Sequence, residues 1–362
     1  MNDFLFKIRV FAEFWNIISK KDYFLGETSR RFEKELADYL GVKHALGVAS
    51  GSDALILALK ACGIGSGDEV IVPALGIFST AAAVSWVGAK PVFVDVEDHN
   101  LGISAESVEK EINKKTRAVI VSHLAGRMVN IEKLSKFAKR KSLYLIEDSA
   151  RAIGVKFKGH HIGFYSDLSC LSFNPVKILG GFGDGGAVVT NDDNLAEKVN
   201  LMRSYGTASH KEFNLKHPIV GTASRISSFQ AAVLFLKLEN TDEVVEQRRG
   251  NYYLYLNMLK GVGDFLLSEV SSDDFINGYE FCVLTQKRDE LYAHLRKNGV
   301  KARIQFYLPL PYLEAFRDLG YKEGDFPNAE KISKDILILP THGKLSENEI
   351  RRICDLVINF FK

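Results

Sequence analysis

A single lysine stands between a strand-like run and a string of glycines in the segment SFNPVKILGGFGDGG, residues 172–186. Lys177 has apolar or small neighbours, and five glycines follow it within nine residues. Lysine is a nucleophile only when its amine is neutral, which desolvation or nearby positive charge favours. The segment therefore fits either a Schiff-base lysine beside a planar ligand or a solvated lysine in a loop.

An acidic residue, Asp148, ends the strand-like run in LYLIEDSARAIG. A carboxylate at the carboxyl end of a buried strand is costly unless a cation compensates it. The protonated ring nitrogen of a cofactor would be such a cation. The alternative is a surface acid at a strand terminus.

A possible phosphate site lies in ALGVASGSDALILALKACG, where a strand-like run leads into a helix-like one. The free amides at a helix N-terminus bind anions, Gly51 allows close approach of the backbone, and the hydroxyl of Ser52 adds a donor. Ser52 and Asp53 could equally be ordinary capping residues. Ser172, five residues before Lys177, offers a second hydroxyl to a phosphate.

These three features together point to one cofactor. Pyridoxal 5'-phosphate (PLP) requires an anion cradle, a partner for its pyridinium nitrogen and an amine that forms an imine with its aldehyde. The order of the three features along the chain matches this requirement. We therefore predict a PLP site.

The elements that must position these residues alternate along residues 44–190. The runs EVIVPA, KPVFVDV, RAVIVSH and LYLIEDS are apolar on successive positions, as strands buried on both faces are. Segments of helical period, such as DALILALKACG and NIEKLSKFAKRK, lie between them. The pattern predicts an α/β fold with a mostly parallel sheet, whose ligands gather beyond the carboxyl ends of the strands.

A chain of 362 residues is long enough for two domains. We expect a large cofactor-binding domain over residues 1–240 and a smaller α+β domain over residues 241–362. Residues 1–20 could pack on the smaller domain. A proline-free stretch of helical spacing at residues 227–261 would lead from one domain to the other.

The composition argues against several classes of protein. The net charge is only +2, with basic and acidic residues spread along the chain, so we predict no nucleic-acid partner. No uninterrupted apolar run approaches ~18 residues, and the N-terminal stretch lacks a signal-peptide pattern, so we predict no membrane association. The four cysteines are far apart, which predicts no metal site and favours a reducing cytoplasm.

The chain resembles the DegT/DnrJ/StrS family of sugar aminotransferases, which have the aspartate aminotransferase-like fold (fold type I). The motifs that carry the resemblance run through nearly the whole chain: FEKELADYLGVKHALGVASGSDAL, GIGSGDEVIVPALG, GAKPVFVDVEDHNLGI, LIEDSARAIG, SFNPVKILGGFGDGGAVVTND, SRISSFQAAVLFLKL and DFPNAEKISKDILILPTH. The resemblance implies a seven-stranded, mostly parallel sheet flanked by helices. It also implies a homodimer with shared active sites, in which residues 221–225 reach into the partner's site.

The resemblance assigns roles to residues of the motifs. Lys177 would be the catalytic amine that forms the imine with PLP, and Asp148 would pair with the pyridinium nitrogen. The other cofactor-binding residues would be Gly51, Ser52, Asp53, Ile77, Arg151 and Ser172. The substrate-binding residues would be His123, Arg151, Arg225 and Gln305.

Several positions depart from the family's pattern. Ile77 stands where an aromatic ring or a histidine usually stacks on the cofactor, and Arg151 stands where a glutamine usually approaches the phenolic oxygen. The remaining departures are Arg127 for a common glutamine, Ala223 for an asparagine from the partner, and Gln305 with Phe306 in place of a His–Tyr pair. We expect the reaction to survive these changes and the substrate pocket to differ.

We predict a PLP-dependent aminotransferase that moves an amino group from L-glutamate to a keto sugar for surface polysaccharide or amino-sugar biosynthesis. The acceptor would be a nucleotide-linked keto-deoxy sugar, or an acidic or phosphorylated keto sugar such as a keto-octulosonate of lipopolysaccharide. Arg151 and Arg127 motivate the acidic acceptor, because guanidinium groups pair with carboxylates and phosphates.

Two alternatives remain. A PLP-dependent sugar dehydratase of the same fold would resemble this chain but carry histidine in place of Lys177. A non-catalytic regulatory protein is the other alternative, and the departures at Ile77, Arg151 and Ala223 favour it.

Overall fold

The computed structural model describes residues 3–97, 101–207, 217–267 and 270–362. Its α-helices are α1 (Asp3–Lys20), α2 (Glu27–Leu40), α3 (Gly51–Ala61), α4 (Phe78–Trp86), α5 (Ala105–Glu111), α6 (Ile131–Lys141), α7 (Asp193–Met202), α8 (Ser228–Leu238), α9 (Thr241–Leu259), α10 (Arg288–Lys297), α11 (Pro327–Asp335) and α12 (Glu347–Phe361). Its β-strands are β1 (His44–Val48), β2 (Glu69–Pro73), β3 (Lys90–Val94), β4 (Thr116–Ser122), β5 (Tyr144–Asp148), β6 (Lys156–Phe157), β7 (His160–His161), β8 (Leu168–Ser172), β9 (Gly186–Thr190), β10 (Leu266–Leu267), β11 (Asp274–Phe275), β12 (Phe281–Leu284) and β13 (Ile336–Leu339).

The central sheet has seven strands in the order β1-β9-β8-β5-β4-β2-β3. β5 pairs in parallel with β4 and β8, and β2 pairs in parallel with β3 and β4, whereas β9 runs antiparallel to both neighbours. Every residue of β2 and β9 is buried, as expected for strands covered on both faces. The predicted α/β fold with a mostly parallel sheet flanked by helices is confirmed.

The register of the sheet aligns the segments that carry the candidate residues. Asp148 lies beside Ser122 of β4 and beside Cys170 of β8. At the next strand along, Ser172 pairs with Gly186, which in turn pairs with Val48 at the end of β1. Positions that are far apart in the sequence therefore meet at one edge of the sheet.

Close backbone packing at this edge depends on glycine. A Cβ atom on Gly186 would lie 2.4 Å from the carbonyl oxygen of Ser50 and 2.8 Å from the amide nitrogen of Gly51. A Cβ atom on Gly51 would lie 2.7 Å from the Cβ of Ser172. The start of α3 can therefore sit directly against β8 and β9.

The C-terminal part has its own hydrophobic cluster, built from α9, α10, α12 and a three-stranded sheet in the order β10-β12-β13. Phe306, Leu310, Phe316 and Phe326, however, pack with the cluster around the central sheet. The division between residues 240 and 241, which falls between α8 and α9, stays a prediction.

A short strand pair joins the C-terminal part to the segment that follows β5. β11 pairs antiparallel with β6. The side-chain amide of Asn277 donates to the carbonyl oxygens of Arg151 and Ile153, at 2.8 Å in each case. The backbone just after Asp148 is therefore fixed by residues from beyond position 270.

The N-terminal helix α1 lies along α8. Val10 packs with Val233 and Leu236, and Arg9 forms an ion pair with Glu239 at 2.6 Å. Packing of residues 1–20 on the smaller domain stays a prediction. Within the described ranges, no helix combines the length and the apolar character that crossing a bilayer would need.

Replacing Gly186 with alanine tests the close packing of α3 against the sheet. Because the added Cβ meets backbone atoms, we expect Gly186→Ala to lower the free energy of unfolding by about 1–3 kcal/mol and to weaken phosphate binding. Urea unfolding and titration with PLP measure the two effects. Gly250→Ala, in the open middle of α9, is the control and should instead stabilise by about 1 kcal/mol. Equal effects of the two changes would contradict this account of the packing.

Candidate active site

The phosphate site predicted at the start of α3 has the geometry of a capped helix N-terminus. Ser50 is the N-cap residue, and its Oγ accepts a hydrogen bond of 3.0 Å from the amide of Asp53. The amides of Gly51 and Ser52 precede the first intrahelical hydrogen bonds and remain suited to an anion. Gly51 at the start of α3 lies against Ser172 at the end of β8, so the structure brings these two predicted phosphate-site residues together.

Asp53 differs from the other residues of this cradle. Its backbone N–H already donates a hydrogen bond to the hydroxyl of Ser50, and its carboxylate accepts one of 2.7 Å from the hydroxyl of Ser224. The hydroxyl of Ser224 also accepts a hydrogen bond of 3.3 Å from the backbone N–H of Ala49. Asp53 therefore ties the segment around Ser224 to the start of α3, and its phosphate contact stays a prediction.

Asp148 lies at the carboxyl end of β5 with only 6% of its surface exposed. One carboxylate oxygen accepts a hydrogen bond of 2.5 Å from the hydroxyl of Thr80, and the other accepts one of 3.2 Å from the amide of Ala150. Among the described residues, no lysine, arginine or histidine forms an ion pair with Asp148. A buried carboxylate without an ion pair is suited to a cationic ligand, so the site fits the protonated ring nitrogen of PLP.

Lys177 lies in the turn after β8, partly buried. Its Nζ is 5.7 Å from the centre of the Tyr279 ring. Burial, together with the nearby positive charge of Arg151, lowers the pKa of its amine to about 8, against the opposing effects of Asp148 and Glu280. A substantial fraction of the amine is therefore neutral near physiological pH, as a nucleophilic lysine requires.

The glycine-rich segment after Lys177 is held by α8. Gln230 accepts a hydrogen bond of 2.8 Å from the amide of Phe182, and Lys237 donates one of 2.5 Å to the carbonyl of Gly180. A Cβ atom on Gly180 would lie 2.7 Å from the carbonyl oxygen of Pro175, so the turn closes tightly on itself. The predicted loop is thus an ordered turn that fixes the backbone of Lys177.

Arg151 is buried, and its charge is already engaged. Its guanidinium donates to Glu280 in a short ion pair and to the side-chain oxygen of Gln305. In this orientation the side-chain nitrogen of Gln305 donates a hydrogen bond of 3.2 Å to Glu280. Glu280 also accepts a hydrogen bond of 2.9 Å from Arg303. Arg151 and Gln305 therefore lie together, as predicted, but their contacts with cofactor or substrate stay predictions.

His123 lies deeper than a surface ligand would. Its Nε2 is 2.6 Å from a carboxylate oxygen of Glu147, and both side chains are almost fully buried. The other oxygen of Glu147 accepts hydrogen bonds from the amide of Gly163 and the hydroxyl of Ser166. The Nδ1 of His123 has no hydrogen-bond partner in the described structure and is the atom left for the predicted substrate contact.

The structure also shows the contacts of the other predicted positions. Ile77 is the N-cap residue of α4 and packs partly buried against the main hydrophobic cluster. The guanidinium of Arg225 lies between the half-exposed rings of Phe24 and Tyr205, 5.0 and 5.2 Å from their centres. Arg127 is buried and donates to the hydroxyl of Tyr252 at 2.8 Å. The roles of Ile77 and Arg225 stay predictions.

Sequence reasoning missed the partners that hold the site. Thr80, Glu147, Glu280 and Arg303 come from four different segments, and each touches a predicted residue or its neighbour. Glu280 did carry a signal, because it opens the strand-like run EFCVLT. A charged residue at the start of a buried strand needs a partner, but the sequence does not tell which of the arginines supplies it.

Comparisons with known proteins identify relatives over nearly the whole chain. The model of the DegT/DnrJ/EryC1/StrS aminotransferase family matches residues 9–358. A pleiotropic regulatory protein of Geobacillus stearothermophilus is 37% identical over 96% of this chain and 92% of its own length. The dTDP-3-amino-3,4,6-trideoxy-α-D-glucose transaminase of Streptomyces venezuelae is 37% identical over 94% of this chain and 89% of its own length.

A third relative and one crystal structure extend the comparison. The UDP-2-acetamido-2-deoxy-3-oxo-D-glucuronate aminotransferase of Pseudomonas aeruginosa is 32% identical over 98% of this chain and 96% of its own length. The crystal structure of S. venezuelae DesV in complex with a ketimine intermediate superposes with a TM-score of 0.94 at 36% identity. It covers 98% of this chain and 95% of DesV.

Thr80→Val tests the hydroxyl that holds Asp148. The buried carboxylate loses a donor, so we expect a loss of about 1–3 kcal/mol in unfolding free energy and a weaker affinity for PLP. Fluorescence titration with PLP and urea unfolding measure both. Thr80→Ser keeps the donor and should restore both properties, whereas a valine variant that binds PLP like the wild type would show that Thr80 does not position Asp148.

The acidity of Lys177 can be measured in the protein without cofactor. Competitive acetylation followed by peptide mass spectrometry, with N-acetyl-lysine as the internal reference, gives the pH dependence of this one amine. We expect the reactivity of Lys177 to rise around pH 8. Arg151→Gln removes a positive charge and should move the profile to higher pH, whereas Glu280→Gln removes a negative charge and should move it to lower pH.

The two opposite shifts separate an electrostatic effect from a general loosening of the site. Loosening alone would expose Lys177 and move both profiles upward, which would contradict the charge-based account. Circular dichroism of each variant checks that the fold is kept.

Proposed function

Because the chain belongs to the DegT/DnrJ/EryC1/StrS aminotransferase family and is a PLP-dependent sugar aminotransferase, we propose that it transfers an amino group from L-glutamate to a nucleotide-linked keto sugar. The observation that carries the proposal is the amine of Lys177, whose pKa is lowered, close enough to the buried carboxylate of Asp148 to feel its charge. The named aminotransferases among the relatives act on sugars linked to dTDP or UDP, which supports a nucleotide-linked acceptor here.

The residues of the chain divide the work of the reaction among them. The amides at the start of α3 and the hydroxyl of Ser172 would hold the phosphate of PLP, and Asp148 would keep a proton on its ring nitrogen. When bound, PLP supplies the electron sink for a carbanion at the substrate carbon. Lys177 would hold the cofactor through its neutral amine and, as a general base, would move a proton at the substrate carbon.

An acidic acceptor is the second candidate for the substrate. The P. aeruginosa relative is named for a glucuronate derivative, which is both nucleotide-linked and acidic. The arginines around Glu280 agree with such a substrate. A phosphorylated or octulosonate acceptor has the support of these charges alone. We propose that the product serves surface polysaccharide or amino-sugar biosynthesis. We also propose that the enzyme works in the cytoplasm, because its proposed substrate is nucleotide-linked.

We also propose a homodimer with shared active sites. Helix α1 presents apolar side chains to solvent in the single chain, among them Phe4, Phe11 and Trp15, which are 71%, 72% and 66% exposed. Arg225 belongs to the segment 221–225 that was predicted to reach the partner, and its guanidinium lies between the half-exposed rings of Phe24 and Tyr205. An apolar stripe of this kind is typical of a protein interface.

Spectroscopy of the PLP-loaded protein tests the proposed function. We expect the absorbance of the bound aldehyde form to disappear when L-glutamate is added and to return when the right keto sugar is supplied. A panel of dTDP-, UDP- and GDP-linked keto sugars, together with an octulosonate, identifies the acceptor. Lys177→Ala should abolish both changes, and Lys110→Arg on the exposed face of α5 is the control.

A wild-type protein that binds PLP but reacts with no amino donor would contradict the proposal and favour a regulatory role. Release of water from a sugar without use of the donor would instead favour the dehydratase.

A further inference from the structure

One buried carboxylate near the amine of Lys177, that of Glu280, is shared by two guanidinium groups. Glu280 contacts Arg151 through one oxygen and Arg303 through the other. The side chains of Glu280 and Arg151 are 1% and 7% exposed, whereas that of Arg303 is 61% exposed. Because one carboxylate compensates one positive charge, the cluster keeps a net positive charge, and its accessible part is the guanidinium of Arg303.

Arg303 is held in place at both ends. Its backbone exchanges hydrogen bonds of 3.0 and 2.8 Å with Ile338 of β13, and its side chain donates to Glu280 at 2.9 Å. In the described ranges this is the single hydrogen bond of the Arg303 side chain, so the other N–H groups remain free to donate. A guanidinium that is fixed in advance loses less conformational entropy when it binds a partner.

The segment that follows Arg303 leads to the sheet edge of the active site. Gln305 is bonded to both Arg151 and Glu280, and the amide of Leu310 donates to the carbonyl of Ala74, directly after β2, at 2.7 Å. Between them, Phe306 has a left-handed backbone conformation with φ 62° and a buried side chain. Such a conformation in a non-glycine residue costs energy and persists where the surroundings fix it, often at ligand sites.

We propose that Arg303 binds a carboxylate of the substrate, and that Glu280 and Arg151 are positioning residues that orient it. Guanidinium and carboxylate form paired, charge-assisted hydrogen bonds, and Glu280 leaves one edge of the Arg303 fork available for them. The carboxylate belongs either to the amino donor or to an acidic keto sugar, and both present the same chemical group. This inference rests on the proposed function, because it concerns the substrates of the same site.

The two half-reactions separate the two sources of the carboxylate. In Arg303→Gln, we expect KM to rise roughly ten- to a hundredfold for the substrate that carries the carboxylate, with kcat nearly unchanged. A rise for L-glutamate assigns the donor. A rise for an acidic keto sugar, with a neutral one unaffected, assigns the acceptor. Arg303→Lys, which keeps the charge but not the fork, should fall between, and Arg351→Gln on the exposed face of α12 is the control.

Unchanged KM values for all substrates in Arg303→Gln would overturn the inference while leaving the proposed function standing. A direct binding measurement decides the inference even if no turnover is seen. Calorimetric titration of the PLP-loaded protein with glutarate and with glucuronate should show binding of at least one in the wild type and a loss of roughly tenfold or more in Arg303→Gln. Equal binding by the two proteins, or no binding by the wild type, would overturn it.

Discussion

The arrangement of the site follows from a single buried carboxylate. Asp148 ends a strand inside the protein, is held by a hydroxyl and an amide, and forms no ion pair within the described residues. A charge in that position lowers the stability of the folded chain unless a cation reaches it. The strand register, the close approach of α3 and the tight turn at Lys177 all leave their functional groups at the edge where such a cation would bind.

The sequence predicted those parts of the molecule that local patterns determine. Apolar runs identified β2, β3, β4 and β5 of the central sheet. Lys177 and Asp148 stood out because a charged residue beside an apolar run is costly unless something compensates its charge. The pairing of Arg151 with Glu280 joins residues 129 positions apart. Such a contact depends on how the C-terminal part folds back onto the sheet, which no local period encodes. The burial of His123 against Glu147 also escaped prediction, because it depends on β4 and β5 being neighbours in the sheet.

The two arginines around Glu280 differ in burial and in how their charges are compensated. The sequence singled out Arg151 as an unusual positive charge, and in the structure the carboxylate of Glu280 compensates that charge. The guanidinium of Arg303, which contacts the same carboxylate, is the exposed one of the two. The positive charge of Arg151 also acts through space on the amine of Lys177, where it opposes protonation. A buried ion pair can therefore shift the pKa of a neighbouring amine.

The strand pair between β6 and β11 and the side-chain amide of Asn277 join the C-terminal part to the backbone that follows Asp148. Moving the C-terminal part away as a rigid body would break these backbone and side-chain hydrogen bonds. We therefore expect substrate entry and product release to depend on short loops and exposed side chains rather than on a hinge between the two parts of the chain.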